Sequence, residues 1–239
     1  MKSEIPIRTW RWLGVNEIDN LPDEIREIHV NSNETISIVD TSPGRIRVTV
    51  DENAQFNYTG ILIDDLVKDS ATELIVELLG KKSSADISAI YFGSENQKID
   101  MNYIVKHFGK KSKSKIEIRG ALKDSSNKIF RGTIDFQRGA KGSHGRENEE
   151  VTILSDSVRN RSVPILLSQE DDVDGQHAVS SGKIDPEKFF YLQSRGLDEI
   201  QAQKLIVQAA FNPILDRIED ESLRLEISNR IERRLVDEK

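Results

Sequence analysis

From about residue 34 to residue 180 the chain is a succession of short runs in which apolar and polar residues alternate. A period of two is typical of strands that bury one face. The runs are ETISIVD, RIRVTVD, ELIVELL, DISAIYFG, DMNYIVKHF, KIEIRGAL, KIFRGTIDF, EEVTILS and VPILLS, and Gly, Asn, Asp and Ser fill the gaps as turn residues do. The pattern predicts a mainly β protein, and a sandwich, a barrel and a β-solenoid are all compatible with it.

After residue 184 the pattern becomes helical. Asp185 and Pro186 predict a helix start, and Gly196 predicts its end. Asp198 is placed to cap a second helix, EIQAQKLIVQAAF, which Pro213 is expected to interrupt. A third helix is predicted over about 219–236, because four apolar residues recur there every fourth position: Leu223, Ile227, Ile231 and Leu235.

These patterns divide the chain into three parts. Residues 1–30 form an N-terminal segment, and its Trp10 and Trp12 are expected to act as an apolar clamp that folds back onto the body. Residues 31–184 form the β body, and residues 185–239 form a C-terminal helical domain.

Composition narrows the functional classes. The 239 residues are 36% hydrophobic and 31% charged, and the absence of any long apolar run predicts no membrane span. The N-terminus lacks the pattern of an export signal and there is no cysteine, so we expect a cytoplasmic protein without disulfides or thiolate metal ligands. A net charge of −7 argues against nonspecific binding to nucleic acid.

Two stretches are basic, although the chain as a whole is acidic. KHFGKKSKSK (106–115) lacks interleaved aromatic residues, so we interpret it as a solvated turn. RGAKGSHGR (138–146) is rich in glycine, but it lacks the Gly-Lys-Ser/Thr ending of a phosphate-binding loop, so we interpret it as a flexible loop between strands.

The candidate chemistry lies in EDDVDGQHAVSSGKIDPEKFFYLQSRG (170–196), where several carboxylates precede His177. A metal site, an acid/base site and a solvated turn are all open at this point. The four histidines show no zinc-ligand spacing, and there is no Gly-x-Ser-x-Gly nucleophile motif, so we predict no enzymatic activity.

The stretch from Phe130 to Gly196 resembles the SufB/SufD family of the SufBCD iron–sulfur cluster assembly complex. The resemblance rests on Phe-x-Gly-x-Ile at 130–134, an acidic turn Asp-Val-x-x-x-His at 172–177, Gly-x-Ile-Asp at 182–185 and Phe-Phe-Tyr-Leu-x-Ser-Arg-Gly at 189–196. It implies a right-handed parallel β-helix followed by the helical domain.

The resemblance also implies partners and site residues. The β-helix would pair with a SufB-like subunit or a second copy of the chain, and the helical domain would dock a SufC-like ATPase. His177 would lie at the pairing interface as an iron ligand or proton shuttle, with Asp172 and Asp174 as further candidates. Tyr191, Gln193 and Arg195 are the candidate docking residues, whereas Phe189, Phe190 and Leu192 are expected to be core.

Two departures from the family pattern shape the expected role. We expect the extra N-terminal region of longer members to be absent, and the lack of cysteine means that this chain cannot hold a cluster by thiolates. We therefore expect a SufD-like, non-catalytic scaffold without a tightly bound cofactor, which shares transient iron or a nascent cluster with a cysteine-bearing partner. The alternatives are a β-helix interaction protein without iron chemistry and a β-helix carbohydrate-active enzyme.

Overall fold

The computed structural model describes residues 4–5, 14–15, 18, 21–63 and 69–236. Over these residues the elements follow one another in the order β1 (Ile25–Val30), β2 (Thr35–Asp40), β3 (Arg45–Val50), β4 (Gln55–Leu62), β5 (Ser70–Leu78), β6 (Ser84–Gly93), β7 (Lys98–His107), β8 (Lys113–Leu122), β9 (Asn127–Phe136), β10 (Ser143–Ile153), β11 (Arg159–Ser168), β12 (Val173–Lys183), α1 (Pro186–Ser194), α2 (Glu199–Leu215) and α3 (Glu221–Val236).

The strands form two parallel sheets that the chain visits in turn. The odd sheet has the order β1-β3-β5-β7-β9-β11, and the even sheet has the order β12-β10-β8-β6-β4-β2. Each strand pairs in parallel with the strand two positions along the chain, as Tyr58 does with Ile87 and Ile87 with Ile116. This is a parallel β-helix with a helical C-terminal part, so the predicted fold class is confirmed.

The inward side chains of both sheets build one apolar core. Alternation along each strand sends every second residue inward, and the fully buried set includes Val48, Leu74, Ile87, Met101 and Phe130. Parallel sheets covered on both faces need such continuous burial, which supplies most of the stability of the fold.

Left-handed turns stack at one corner of the β-helix. Asn33, Asn53, Lys82 and Lys111 all have positive φ, and their backbone N–H groups donate to carbonyl groups of the next turn. Lys111 lies in the basic stretch 106–115, which is a turn only in its middle, because Lys106 and the buried His107 end β7 and residues 113–115 begin β8.

The even sheet is covered on its outer face by the helices. Ile61, Ile90 and Phe92 on the sheet pack with Phe211, Ile227 and Ile231 of α2 and α3. Arg234 is also buried there, with its guanidinium 5.7 Å from the centre of the Phe92 ring. The helical domain is therefore fixed to the β-helix by its own small apolar core.

The outer face of the odd sheet is contacted by two described residues from near the N-terminus, Glu4 and Val15. Asn102 Nδ2 donates to the Glu4 carbonyl oxygen at 2.9 Å, and Arg131 Nε donates to the Val15 carbonyl oxygen at 2.5 Å. Trp10 and Trp12, the residues expected to form the clamp, lie outside the described residues. The division of the chain into three parts at residues 30 and 184 remains our interpretation. Strand β1 falls within the first part, the N-terminal segment.

Four expectations are corrected by the structure. The acidic Asp-Val-x-x-x-His stretch is not a turn, because β12 begins at Val173 and pairs with β10 along its whole length. Residues 143–146 of the glycine-rich stretch belong to β10 rather than to a loop. Pro213 does not interrupt α2, because it lies in the last turn of that helix. Phe190 is 73% exposed, so it is not a core residue.

Among the described residues, none of the helices is both long and apolar enough to cross a bilayer.

Candidate functional site

The candidate site lies at the end of the β-helix formed by β11 and β12, which we call the open end. Each of these strands is the last in its sheet, so over the described residues only one of its edges is hydrogen-bonded to a neighbouring strand. The open end also exposes apolar side chains, namely Leu166 of β11 at 40% and Val179 of β12 at 39%. A long, unpaired strand edge with apolar neighbours is a surface on which another chain can pair.

His177 faces the inner side of the even sheet at this end. The register places it beside Glu147 of β10, and side chains in register on parallel strands project to the same face. Glu147 is buried in the interior against Gly132 of the odd sheet. His177 is exposed, and over the part of the chain that the structure describes no further turn of the β-helix covers it.

The structure separates His177 from the two acidic candidates. Asp174 lies three positions away on the same strand and therefore faces outward, where its Oδ2 is 3.5 Å from His144 Nδ1. Asp172 precedes the strand, and its Oδ2 lies 3.9 Å from Lys141 Nζ on the exposed surface. Neither carboxylate shares a face with the imidazole.

A group of ionisable residues that the sequence analysis did not identify lies directly beneath His177. We call it the interior cluster, and it consists of Tyr91, Lys128, Glu147 and Glu149, all buried inside the β-helix. Lys128 Nζ donates to Glu149 Oε1 at 2.5 Å, and Tyr91 Oη donates to the same oxygen at 3.2 Å. The lysine and one glutamate thus form a buried ion pair that the tyrosine hydroxyl supports.

Burial governs the protonation of this cluster. It raises the pKa of Glu147 to about 8, an effect that the charge of Glu149 reinforces and that of Lys128 opposes. Burial lowers the pKa of the Lys128 ammonium, although the Glu149 carboxylate opposes that change. Glu147 therefore holds a proton at pH 7, whereas the Glu149–Lys128 pair keeps its attraction in the low-dielectric interior.

The alternation of inward and outward residues along β9 and β10 contains a sequence signal for the cluster. Glu147 and Glu149 occupy the same alternating positions as Val151 and Ile153 of β10, and Lys128 alternates with Phe130 of β9. Charged residues at apolar positions of a strand are informative because burial of an unpaired charge is costly.

Two glycines make room for the cluster, and each follows an arginine in the sequence, in the pairs Arg119–Gly120 and Arg131–Gly132, which lie twelve residues apart. A Cβ on Gly120 would lie 1.9 Å from Tyr91 Cζ, and one on Gly132 would lie 2.2 Å from Glu147 Oε1. The ring of Tyr91 and the carboxyl group of Glu147 therefore occupy the space that side chains would need at these positions.

The docking candidates lie on α1 and at its C-cap, Arg195. Tyr191, Gln193 and Arg195 are all exposed, and the Arg195 guanidinium lies 5.1 Å from the centre of the Tyr191 ring. A groove runs between α1 and α2, with Tyr191 and Leu192 on one side and Leu205 and Ala209 on the other. The groove is mainly apolar, as a surface that binds a partner helix or loop is.

No complete metal-binding group is present among the described residues, because nowhere do three or more His, Asp or Glu side chains converge. The whole sequence also lacks cysteine.

The fold and the open end define a class of protein, a parallel β-helix that carries a helical domain at its C-terminal end. Residues 29–210 match the family described as SUF system FeS cluster assembly, SufBD core domain. The chain therefore belongs to the SufB/SufD family of iron–sulfur cluster assembly proteins.

Individual relatives agree with this assignment. The iron–sulfur cluster assembly protein SufD of Bacillus subtilis is 31% identical over 167 residues, which cover 70% of this chain and 38% of that protein. A SufBD family protein of Mycobacterium tuberculosis is 29% identical over 187 residues, 75% of this chain and 46% of the relative. One from Pyrococcus horikoshii is 27% identical over 197 residues, 80% of this chain and 43% of the relative. The chain thus spans less than half the length of these relatives.

Proposed function

We propose that this chain is a non-catalytic scaffold subunit of a Suf-type iron–sulfur cluster assembly complex in the cytoplasm. In this proposal the open end pairs with a cysteine-bearing SufB-like subunit or with a second copy of the chain, and the helical domain docks a SufC-like ATPase. The observation that carries the proposal is the exposed, unpaired edge of β12 with His177 on it, in a chain of the SufB/SufD family.

Pairing at the open end is supported by the free strand edges and by the exposed Leu166 and Val179. We expect Val179→Asp and Leu166→Asp to abolish association with the SufB-like subunit and any homodimer, since a charge at the centre of an apolar interface is strongly unfavourable. Val39→Asp is the matched control, because Val39 is 40% exposed but lies on β2 at the opposite end. Light scattering and co-purification measure the result, and equal association of all three variants would refute the assignment of the interface.

Docking of the ATPase is supported by the apolar groove between α1 and α2 and by the exposed ring of Tyr191. We expect Leu205→Asp and Tyr191→Ala to prevent co-purification with the ATPase. Leu225→Asp should not, because Leu225 is an exposed leucine on α3 that does not line the groove. Deletion of residues 185–239 should also abolish docking; if that truncated chain still binds the ATPase, the helical domain is not the docking site.

For the chemistry we propose that the His177 imidazole contacts iron or relays a proton at the paired interface. Asp172 and Asp174 then contribute acidic surface at the rim of that interface rather than ligands beside the imidazole. In a strain that depends on this chain, His177→Ala should lower the activity of iron–sulfur enzymes. His144→Ala, which removes an exposed histidine from the outer face of the same end, should not.

The same experiments distinguish the proposed function from its alternative, an interaction protein without iron chemistry. If His177→Ala leaves the iron–sulfur enzymes at full activity while docking and pairing persist, the chain is an interaction protein without iron chemistry of its own.

A further inference from the structure

Positive charge is concentrated in three consecutive turns at the corner of the β-helix where the left-handed turns stack. Residues 79–83, 108–115 and 138–146 contain two, four and three lysine or arginine residues and no acidic residue, although the chain as a whole has a net charge of −7. The first two of these segments share the sequence Gly-Lys-Lys-Ser, at 80–83 and at 109–112. We call the exposed lysines in the middle of this corner the basic ridge, and they are Lys81, Lys82, Lys110, Lys111, Lys113 and Lys141.

Backbone hydrogen bonds hold these lysines in a row. Lys82 N donates to the Lys110 carbonyl oxygen at 2.9 Å, and the equivalent bond repeats one turn further along the β-helix. The turns also pack closely, since a Cβ on Gly109 would lie 1.8 Å from the Gly80 carbonyl oxygen. Turns that are hydrogen-bonded in this way are spaced like parallel strands, about 4.8 Å apart, so like charges are stacked in successive turns and repel one another.

Two of the lysines also occupy positions that the backbone favours for another residue. Lys82 and Lys111 have φ angles of 60° and 57°, in the left-handed region that Gly, Asn and Asp adopt most readily. Asn33 and Asn53 fill the equivalent positions of the first two turns. Lysine in the later turns thus adds backbone strain to charge repulsion, and a role in binding accounts for both.

Most of this charge is not compensated by the chain itself. Among the described residues, the only ion pair of the basic ridge joins Lys141 Nζ to Asp172 Oδ2 at 3.9 Å. The ridge continues into a groove on the outer face of the even sheet, where Asp86 is engaged by Arg217 at 3.3 Å. Four basic residues line this groove, namely Lys113, Lys115, His144 and Arg146. Two of them contact carboxylates of the chain, at 2.7 and 3.5 Å, so the ridge and the rest of the groove remain available to an anionic partner.

The ends of the ridge and the apolar residues beside it indicate the kind of anion that fits. The row of turn carbonyls that accept these hydrogen bonds has Glu52 before the lysines and Asp172 after them, so the cationic row is on the order of 10 Å long. A nucleic acid that continued past the ridge would meet these carboxylates, and the net charge of −7 opposes it further. Leu79 and Phe108 precede the two Gly-Lys-Lys-Ser turns and are 45% and 38% exposed. A short protein segment with acidic and apolar side chains complements both features.

We propose that the basic ridge is a docking site for a short acidic segment of a partner protein. Carboxylates of that segment contact the lysines of successive turns, and its apolar side chains contact Leu79 and Phe108. The inference goes beyond the proposed function and does not depend on it, because the ridge uses neither the free edge of β12 nor the groove between α1 and α2.

The test is fluorescence anisotropy with the full chain and a labelled peptide of sequence Glu-Leu-Glu-Gly-Glu-Leu-Glu. We expect this peptide to bind with an affinity that falls as salt is added, and the same peptide with Gln in place of Glu not to bind. Lys81→Glu/Lys110→Glu should weaken binding at least about tenfold, because two attractive contacts become repulsive. Phe108→Ser should weaken it by a smaller factor.

The matched control is Lys98→Glu/Arg159→Glu. It changes the net charge by the same amount at exposed residues that begin β7 and β11, at the opposite corner of the β-helix. Those residues lie more than a Debye length of about 8 Å from the ridge, so the affinity for the peptide should stay within about twofold of the wild type. Circular dichroism establishes that each variant is folded before its affinity is compared.

Several results would overturn the proposal. Failure of the acidic peptide to bind, or an equal loss of affinity in the ridge variant and the control, would refute a docking site at the ridge. Tighter binding of a labelled oligothymidylate than of the peptide would indicate a nucleic-acid site instead. If light scattering finds a wild-type dimer that Lys81→Glu/Lys110→Glu dissociates, the ridge is occupied by a second copy of the chain. Full affinity in Phe108→Ser would refute the apolar part of the contact.

Discussion

Replacement of Gly120 by alanine tests the packing of the interior cluster most directly. The new Cβ would lie 1.9 Å from Tyr91 Cζ and 2.3 Å from both Tyr91 Cε2 and Oη, far inside contact distance. Tyr91 is fully buried, and its hydroxyl is fixed by Glu149. The ring cannot leave the space above Gly120 without giving up that hydrogen bond and disturbing the core.

The size of the effect follows from two contributions. Overpacking of a well-packed core typically costs about 1–3 kcal/mol. Loss of a buried hydrogen bond to a charged group costs about 1.5–3 kcal/mol. We therefore expect Gly120→Ala to lower the free energy of unfolding by about 2.5–6 kcal/mol, which for a chain of this size lowers Tm by about 5–24 °C.

The assay is thermal and urea unfolding followed by circular dichroism. Gly182→Ala is the control, since a Cβ at Gly182 would meet no atom within 4 Å, and we expect a change within about 1 kcal/mol. In a Tyr91→Val background the added methyl group has room, so the same Gly120→Ala substitution should become nearly neutral. Equal stability of Gly120→Ala and Gly182→Ala would refute the proposed packing of the Tyr91 ring.

Three further predictions concern other parts of the chain. Burial lowers the pKa of His107 from 6.5 to about 3. As the pH drops below 6.5, this histidine therefore takes up a proton in the unfolded chain but not in the folded one, and the free energy of unfolding falls. From pH 7 to pH 5 the wild type should lose about 2 kcal/mol more than His107→Gln, as urea unfolding at each pH will measure. Asp198→Ala removes the capping box of α2 and should cost about 1 kcal/mol, with faster amide exchange in the first turn of that helix. Arg217 forms an ion pair with Glu117 and so ties the end of α2 to β8. Arg217→Met should lower the free energy of unfolding by about 1–3 kcal/mol and speed amide hydrogen exchange in α2. Unchanged amide exchange would show that the apolar contacts alone hold the helices on the sheet.

Alternation in the sequence predicted most strands because their inner residues are apolar. DISAIYFG, DMNYIVKHF and KIFRGTIDF contribute to β6, β7 and β9, where every second residue enters the core. Strand β12 was missed because VDGQHAVSSGK contains little apolar surface and two glycines. Its extended form comes from pairing with β10 residue by residue, a long-range contact that no local pattern reveals.

The candidate site was predicted only in part for a related reason. His177 was singled out through the family resemblance, yet its neighbour Glu147 lies thirty positions earlier in the chain and becomes adjacent only through the parallel register. Glu149 is likewise buried inside the β-helix, where Lys128 compensates its charge, and no spacing in the sequence connects these two residues. Sequence spacing gives the face of a residue, but not the partner that the next turn of the β-helix brings beside it.

The N-terminal stretch on the outer face of the odd sheet has a consequence for synthesis. Glu4 and Val15 are made before their hydrogen-bond partners Asn102 and Arg131, which follow 98 and 116 residues later. At about 5–20 residues per second, this stretch waits on the order of 5–25 s for strands β7 and β9 to be made. Glu4 and Val15 are thus held by strands that are made long after them, so their hydrogen bonds are among the last of the β-helix to form.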